Sequence, residues 1–296
     1  MKIGVFDSGY GGLTILEKIR KELPEYDYLY LGDNARAPYG TRSFEVIYEY
    51  TLQAVRWLHS QGCRLIILAC NTASAKALRS IQQNDLPIIN GEGLKVKGEG
   101  LRVLGVIRPT VEYVIESGAK HIGVMATPGT VSSNSYVIEL EKMKDRCAER
   151  QKTATLKDDS LVVSQEACPM WVPLIEAGEH TGAGADYFVD KYVRELLAKD
   201  AEMDTIILGC THYPLLLPKI EAALEVMGRG DIRVVCQGEI VAASLADYLG
   251  RHTEIESDLS HGGTCTYITT EAAEKFRGSA SIFLRTPIDV THIELA

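Results

Sequence analysis

The sequence predicts an α/β fold built from two related halves, and three observations predict it. Short apolar runs alternate with amphipathic stretches of helical length, the rhythm of parallel strands joined by crossover helices. A chain of 296 residues is long for a single core, so about two domains are expected. The chain also resembles itself: Ile3-Gly4-Val5 has a counterpart in Ile122-Gly123-Val124, and Ile66-Ile67-Leu68-Ala69-Cys70 has one in Ile206-Ile207-Leu208-Gly209-Cys210.

In chain order, KIGVF reads as a strand and GLTILEKIRKEL as the helix that follows it. YLYLG and SFEVIYEYTLQAVRWLHSQG form the next strand and helix, and RLIILAC with TASAKALRSIQ forms a third pair. HIGVMAT (121–127) and TIILGC (205–210) start the rhythm again. The stretch GEGLKVKGEG (91–100) is glycine-rich and has no periodicity, which makes it the expected crossing between domains. Residues 147–169, CAERQKTATLKDDSLVVSQEACP, carry no clear motif and are read only as part of the second domain.

Composition narrows the function. A hydrophobic fraction of 46% and a charged fraction of 24% are those of an ordinary soluble globular protein. The net charge of −9 and a pI near 5.4 argue against general affinity for nucleic acid or acidic membranes, because phosphates repel such a chain unless it carries a strong basic patch. KIRKELPE (18–25) mixes both signs and reads as a solvated helix face. MKIGVFDSG runs directly into a strand without an apolar signal region, and no stretch approaches the roughly 18–20 apolar residues of a membrane span. The seven cysteines are odd in number, widely spaced and without a CxxC pair. Free thiols in a reducing cytoplasm are the expectation.

The chemistry-bearing residues gather at predicted strand ends. DSGYGG (7–12) stands where a dinucleotide-binding turn would be, but GxGxxG from Gly9 needs glycine where Thr14 stands, and no GxxxxGK[ST] occurs. A tight turn explains Gly11 and Gly12, whereas a charged Asp7 at the end of a buried strand needs a partner or a role, and Ser8 goes with it. Cys70 ends an apolar strand just before Asn71, Thr72 and Ser74, residues that open helices. A helix N-terminus lowers a thiol pKa from its usual value of about 8.5 and also attracts carboxylates. Cys210 occupies the matching place in the repeat, with Thr211 and His212 behind it. The other five cysteines lack this setting and are expected to be structural.

Three chemistries use such residues. Zinc sites draw on tight local ligand pairs, and here only Cys210 and His212 are close in sequence. A nucleophilic Cys/His pair uses one thiol and leaves the mirrored one idle. Inversion of a stereocentre bearing an acidic C–H uses both, because one thiolate removes the proton from one face and one thiol returns a proton to the other. On that reading, Asp7 assists Cys70 and His212 assists Cys210, and in open α/β sheets the ligand lies beyond the carboxyl ends of the strands.

DSGxGGLT (Asp7 to Thr14), GDxxRxPYG (Gly32 to Gly40), CNTASA (Cys70 to Ala75), TPxTVxSxxY (Thr127 to Tyr136) and GCTHYPLL (Gly209 to Leu216) together resemble the glutamate racemases of the aspartate/glutamate racemase superfamily. The resemblance implies two pseudo-symmetric α/β domains with mainly parallel sheets, residues 1–97 plus 213–296 and residues 98–212, with the active site in the cleft between them. It implies that Cys70 takes the α-proton of D-glutamate and Cys210 that of L-glutamate, with Asp7 and His212 as polar supporters. It implies substrate binding through Ser8, Pro38, Tyr39, Gly40, Asn71, Thr72, Thr127, Thr130 and Thr211 as well as the four catalytic residues. No cofactor and no metal are expected. The expected product role is supply of D-glutamate for peptidoglycan, in the cytoplasm, by a homodimer that engages neither nucleic acid nor membrane. An aspartate racemase of the same superfamily, or a non-catalytic ligand- or metal-binding protein, is the alternative.

Overall fold

A computed structural model describes residues 1–91, 100–151, 161–284 and 286–295. Ten strands are described: β1 Ile3–Asp7, β2 Tyr28–Gly32, β3 Leu65–Leu68, β4 Arg102–Gly105, β5 His121–Ala126, β6 Val162–Ala167, β7 Thr205–Gly209, β8 Arg233–Val235, β9 Cys265–Thr269 and β10 Val290–His292. They form two sheets, in the orders β10-β9-β2-β1-β3-β4 and β6-β5-β7-β8, and every pairing is parallel. The predicted α/β class with parallel sheets is therefore what the chain adopts.

The internal repeat has a structural meaning. The orders β2-β1-β3-β4 and β6-β5-β7-β8 are the same order, with β5 in the place of β1 and β7 in the place of β3. The registers agree as well, because Gly4 pairs with Ile66 and Gly123 pairs with Ile206, the positions that the repeat aligns. Both glycines leave space for a side chain that stands just before the paired strand. A Cβ on Gly4 would lie 3.2 Å from the Cβ of Cys63, and one on Gly123 would lie 2.5 Å from the Sδ of Met203. In each sheet the chain leaves the first strand for a neighbour on one side and returns on the other, which makes a topological switch point. That point lies between β1 and β3 in one sheet and between β5 and β7 in the other.

The chain divides into two compact units, Met1–Val106 with Gly238–Ala296, and Ile107–Gln237. The expected crossings at 97/98 and 212/213 thus stand at 106/107 and 237/238. The reason is edge-strand pairing: β4 hydrogen-bonds to β3, and β8 hydrogen-bonds to β7, so each unit keeps its last strand. Most of the glycine-rich stretch expected as a crossing, 92–99, lies outside the described residues.

The first unit packs helices Gly12–Glu22 and Phe44–Ser60 near the predicted limits. Ser43 caps the second of these by accepting the Val46 N–H at 3.4 Å. Phe6, Leu31, Ile66 and Leu68 from the sheet meet Val55 and Leu58 of that helix in one buried cluster. The segment after Cys70 is helical in successive short pieces, Asn71–Lys76, Leu78–Ser80 and Leu86–Ile89, with a π turn at Ile81–Asp85. That turn places the buried Asp85 where Tyr48 donates a hydrogen bond to it at 2.6 Å. In the second unit, part of the 147–169 region is the edge strand β6, all of whose side chains are half-buried. A half-buried edge has no apolar alternation by which the sequence would betray it.

Gly12 has little room for a side chain, since a Cβ there would stand 2.4 Å from the Cβ of Asp7. Gly12→Ala must displace the buried Asp7, so it should lower the unfolding free energy by about 1–3 kcal/mol in urea denaturation. A stability within 0.5 kcal/mol of wild type, of the size of an ordinary surface substitution, would show that the turn relaxes around the methyl.

Candidate active site

Cys70 follows β3 and is the N-cap of the helix Asn71–Lys76, with extended backbone angles (φ −66°, ψ 121°). Its sulfur accepts the Ala73 N–H at 3.4 Å and lies 3.1 Å from the Ser8 hydroxyl. Strand pairing sets this meeting. The Ala69 N–H bonds the Phe6 carbonyl at 2.8 Å, so the residues just beyond β1 and β3 stand side by side. Asp7, almost wholly buried, accepts the Gly9 N–H on Oδ2 at 3.0 Å and thereby shapes the turn that presents Ser8. Tyr30 fastens the same turn by donating to the Gly9 carbonyl at 3.1 Å. Asn71 and Thr72 are buried in the first turn of the helix that Cys70 caps.

The loop after β2 is held by Asp33. This fully buried carboxylate accepts from the Arg36 Nε at 2.7 Å, the Tyr39 hydroxyl at 2.5 Å and the Thr270 hydroxyl at 2.9 Å. Arg36 also lies 4.1 Å above the Tyr50 ring. Burial, and then the Asp33 charge, push the Tyr39 phenol far above its ordinary pKa, so it stays a neutral donor to that carboxylate. The Tyr39 side chain is thereby engaged inside the loop, while Pro38 is exposed and Gly40 half-exposed. The Ala37–Pro38 peptide is cis.

The second unit repeats the plan with different chemistry. Thr127 follows β5 and caps the helix Pro128–Ser132, accepting the Thr130 N–H at 3.3 Å and sharing a 3.1 Å hydrogen bond with the Thr130 hydroxyl. Both threonines are buried. Ala126 pairs with Gly209, so Thr127 and Cys210 emerge side by side, as the residues beyond β1 and β3 do in the other unit. Cys210 has His212 Nδ1 at 3.8 Å, and His212 Nε2 lies 2.9 Å from Glu176 Oε1. Burial opposes a charge on His212, but the hydrogen bonds to Cys210 and Glu176 and their electrostatic pull outweigh it. The imidazolium persists to about pH 10. Thr211, between the two, is also buried.

One of these participants, Glu176, has no signal in the sequence. Glu176 lies 36 residues before His212 and reaches it through packing. The edge of Trp171 meets Tyr213 at 4.7 Å between ring centroids, and Tyr213 donates to the Cys168 carbonyl at 3.1 Å, which seats the helix Trp171–Glu176 against the Tyr213–Leu216 turn. Asp33 stands inside a quoted motif, but its contact with Thr270 crosses most of the chain. The remaining cysteines differ from the two strand-end thiols. Burial pushes the Cys63 thiol up to about 11 and raises Cys168 and Cys265, so these stay protonated and supply little thiolate at neutral pH. Cys236 is half-buried, and the side chain of Cys147 lies outside the described residues. Among the described residues, no group of three or more His, Cys, Asp and Glu side chains is arranged to hold a metal ion. Among the same residues, no helix is long and apolar enough to cross a membrane.

The Asp/Glu/hydantoin racemase family model matches residues 3–245. The chain belongs to this family. It is 39% identical to a glutamate racemase of Ruegeria sp. over 97% of its length and 98% of the relative's. The glutamate racemase of Francisella tularensis, solved in complex with D-glutamate, superposes with a TM-score of 0.80 at 29% identity, covering 99% of this chain and 97% of that one. A glutamate racemase isoform from Bacillus anthracis has the same TM-score at 31% identity and the same coverage. The chain is accordingly an amino-acid racemase.

The His212 pair makes a pH prediction. Its folded pKa of about 10 stands above the ordinary 6.5, so folding favours the protonated ring. The resulting stability is complete below about pH 6.5 and is lost as pH rises through about 10. In urea denaturation, the gap between wild type and His212→Asn should be wide at pH 6 and narrow at pH 10, and Glu176→Gln should shrink the pH 6 value toward the variant. A gap that does not change with pH would mean that the ring is neutral.

Proposed function

We propose that this racemase interconverts L- and D-glutamate by a two-thiol mechanism, with Cys70 and Cys210 working on opposite faces of the α-carbon. The observation that carries the reading is the repetition of one arrangement. Four strands of each sheet share one order, the third of them in chain order is followed by a cysteine in both, and each cysteine has hydrogen-bonding partners suited to a thiolate. A single-thiol mechanism has no use for the second arrangement. Relatives named as glutamate racemases over nearly the full length support glutamate as the substrate.

In the direction from D to L, the Cys70 thiolate takes the α-proton, the Cα–H bond breaks and an S–H bond forms. The carbanion is then protonated on its other face by the Cys210 thiol, which leaves a thiolate beside His212. The reverse direction exchanges the two roles. Nothing is oxidised or reduced, and no co-reactant is consumed. Asp7 supports the Cys70 side by shaping the turn on which Ser8 sits. Glu176 anchors the far nitrogen of His212, so its Nδ1 faces Cys210.

Substrate binding falls to Ser8, Pro38, Tyr39, Gly40, Asn71, Thr72, Thr127, Thr130 and Thr211. Their hydroxyls, side-chain amide and backbone groups match a substrate with two carboxylates and an ammonium. With Tyr39 bonded to Asp33, the backbone from Pro38 to Gly40 is the part of that loop offered to the ligand. We assign the enzyme to the cytoplasm, as a homodimer whose D-glutamate supplies peptidoglycan assembly. Neither nucleic acid nor membrane is a partner, in keeping with the net charge of −9.

Circular dichroism of pure L-glutamate, after exhaustive chelation and without pyridoxal phosphate, should decay to zero in the presence of the enzyme. Loss of the decay on chelation, with recovery on adding zinc, would sink the reading, and the same assay with L-aspartate tests the neighbouring substrate. Cys70→Ser and Cys210→Ser should each lower racemisation by at least the ~10²–10⁴-fold associated with acid/base catalysis. With a glutamate analogue bearing a β leaving group, Cys70→Ser should still eliminate from the L-enantiomer and Cys210→Ser from the D-enantiomer. A single variant that processes both enantiomers equally would overturn the assignment of faces.

A further inference from the structure

We propose that the Ser8 hydroxyl is a catalytic partner of Cys70 which changes its hydrogen-bonding sense with the state of the sulfur, donating to the thiolate and accepting from the thiol. The proposal rests on the two-thiol reading and adds to it a role for Ser8 toward the sulfur itself.

The geometry on which it stands is local. Ser8 Oγ lies 3.1 Å from Cys70 Sγ, close enough that either atom can be the donor. Three contacts aim the hydroxyl. The Gly9 N–H bonds Asp7 Oδ2 at 3.0 Å, Tyr30 holds the Gly9 carbonyl at 3.1 Å, and the Ala69 N–H bonds the Phe6 carbonyl at 2.8 Å. The turn carrying Ser8 is thus tied to its own strand on one side and to the strand of Cys70 on the other. Ser8 is half-buried, and a serine hydroxyl hydrogen rotates to suit its partner.

The chemistry asks for such a partner. Each turnover leaves Cys70 in the protonation state opposite to the one in which it began, a thiol after D-glutamate is deprotonated and a thiolate after L-glutamate is converted. A backbone N–H such as that of Ala73 can only donate, so it favours the thiolate in both directions. A hydroxyl has one hydrogen to give and two lone pairs to offer, so it can serve both states. The proton that moves is always the one exchanged between sulfur and α-carbon, and the Ser8 proton stays on oxygen throughout. Ser8 therefore keeps the acid and base forms of Cys70 close in free energy, which a reversible racemase needs at both ends of its reaction.

The test uses the full-length enzyme with Ser8→Ala, together with the isosteric pair Ser8→Thr and Ser8→Val, which differ by the hydroxyl at constant shape. Two quantities are measured: the pH midpoint for alkylation of Cys70 by iodoacetamide, read from the Cys70 peptide by mass spectrometry, and kcat and KM in both directions. Loss of a hydrogen bond to a charged sulfur should raise the midpoint by about one pH unit and lower kcat about 10–100-fold in both directions. Ser8→Thr should restore both quantities, and Ser8→Val should not. If Ser8 touches only the substrate, Ser8→Ala raises KM and leaves the Cys70 midpoint in place, and the proposal falls. It falls equally if Thr and Val behave alike. If fully alkylated Cys70 still supports racemisation, the two-thiol reading itself fails. If alkylation abolishes activity while Ser8→Ala matches wild type, only the role of Ser8 is lost.

Discussion

Everything at the two thiols depends on the register of parallel strands buried on both faces. β1, β3, β5 and β7 each pair with a strand on both sides, and most of their side chains are buried and apolar. Such a strand most readily places a polar side chain near where pairing stops, and here the site residues gather at the carboxyl ends. Phe6 opposite Leu68 and Ala126 opposite Gly209 therefore decide which residues emerge together: Asp7 and Ser8 with Cys70, and Thr127 with Cys210. A slip of one residue in either pairing would turn the emerging side chains to the other face of the sheet.

Within this shared frame the thiols are served by different means. Cys70 caps a helix and meets a backbone N–H and a serine hydroxyl. Cys210 meets an imidazole whose far nitrogen is held by a carboxylate, and this buried pair keeps the ring protonated well above its ordinary range. Burial alone disfavours charge, as the raised thiols of Cys63 and Cys168 show. The strand-end sulfurs meet groups that can donate to them, an N–H and a hydroxyl at Cys70 and an imidazole at Cys210, whereas the Cys168 thiol lies against the Glu166 carbonyl, an acceptor, at 3.7 Å.

The loops are fastened by buried polar networks whose members come from distant parts of the chain. Asp33 gathers Arg36, Tyr39 and Thr270 beneath the Pro38–Gly40 segment. In the second unit, Gln237 donates to both Thr110 and Tyr136 at 2.9 Å. Tyr136 in turn packs over Gly209, where a Cβ would lie 3.1 Å from its ring, so the last residue before Cys210 must be small. Networks of this kind specify a single arrangement because a partly satisfied buried polar group is expensive.

The sequence by itself determined the alternation of strands and helices, the internal repeat and the placement of Cys70 and Cys210 at strand ends. These are local properties: apolar runs, helix-opening residues and the spacing between them are legible in any short window. The tertiary structure alone decided which strands are neighbours, and so where the units divide. It kept β4 with β3 and β8 with β7, carrying the crossings to 106/107 and 237/238. It also recruited Glu176 to His212 and Thr270 to Asp33, contacts made 36 and 237 residues away along the chain. No periodicity or motif marks such partners, because a buried charge is compensated by whichever side chain packing brings within hydrogen-bonding distance.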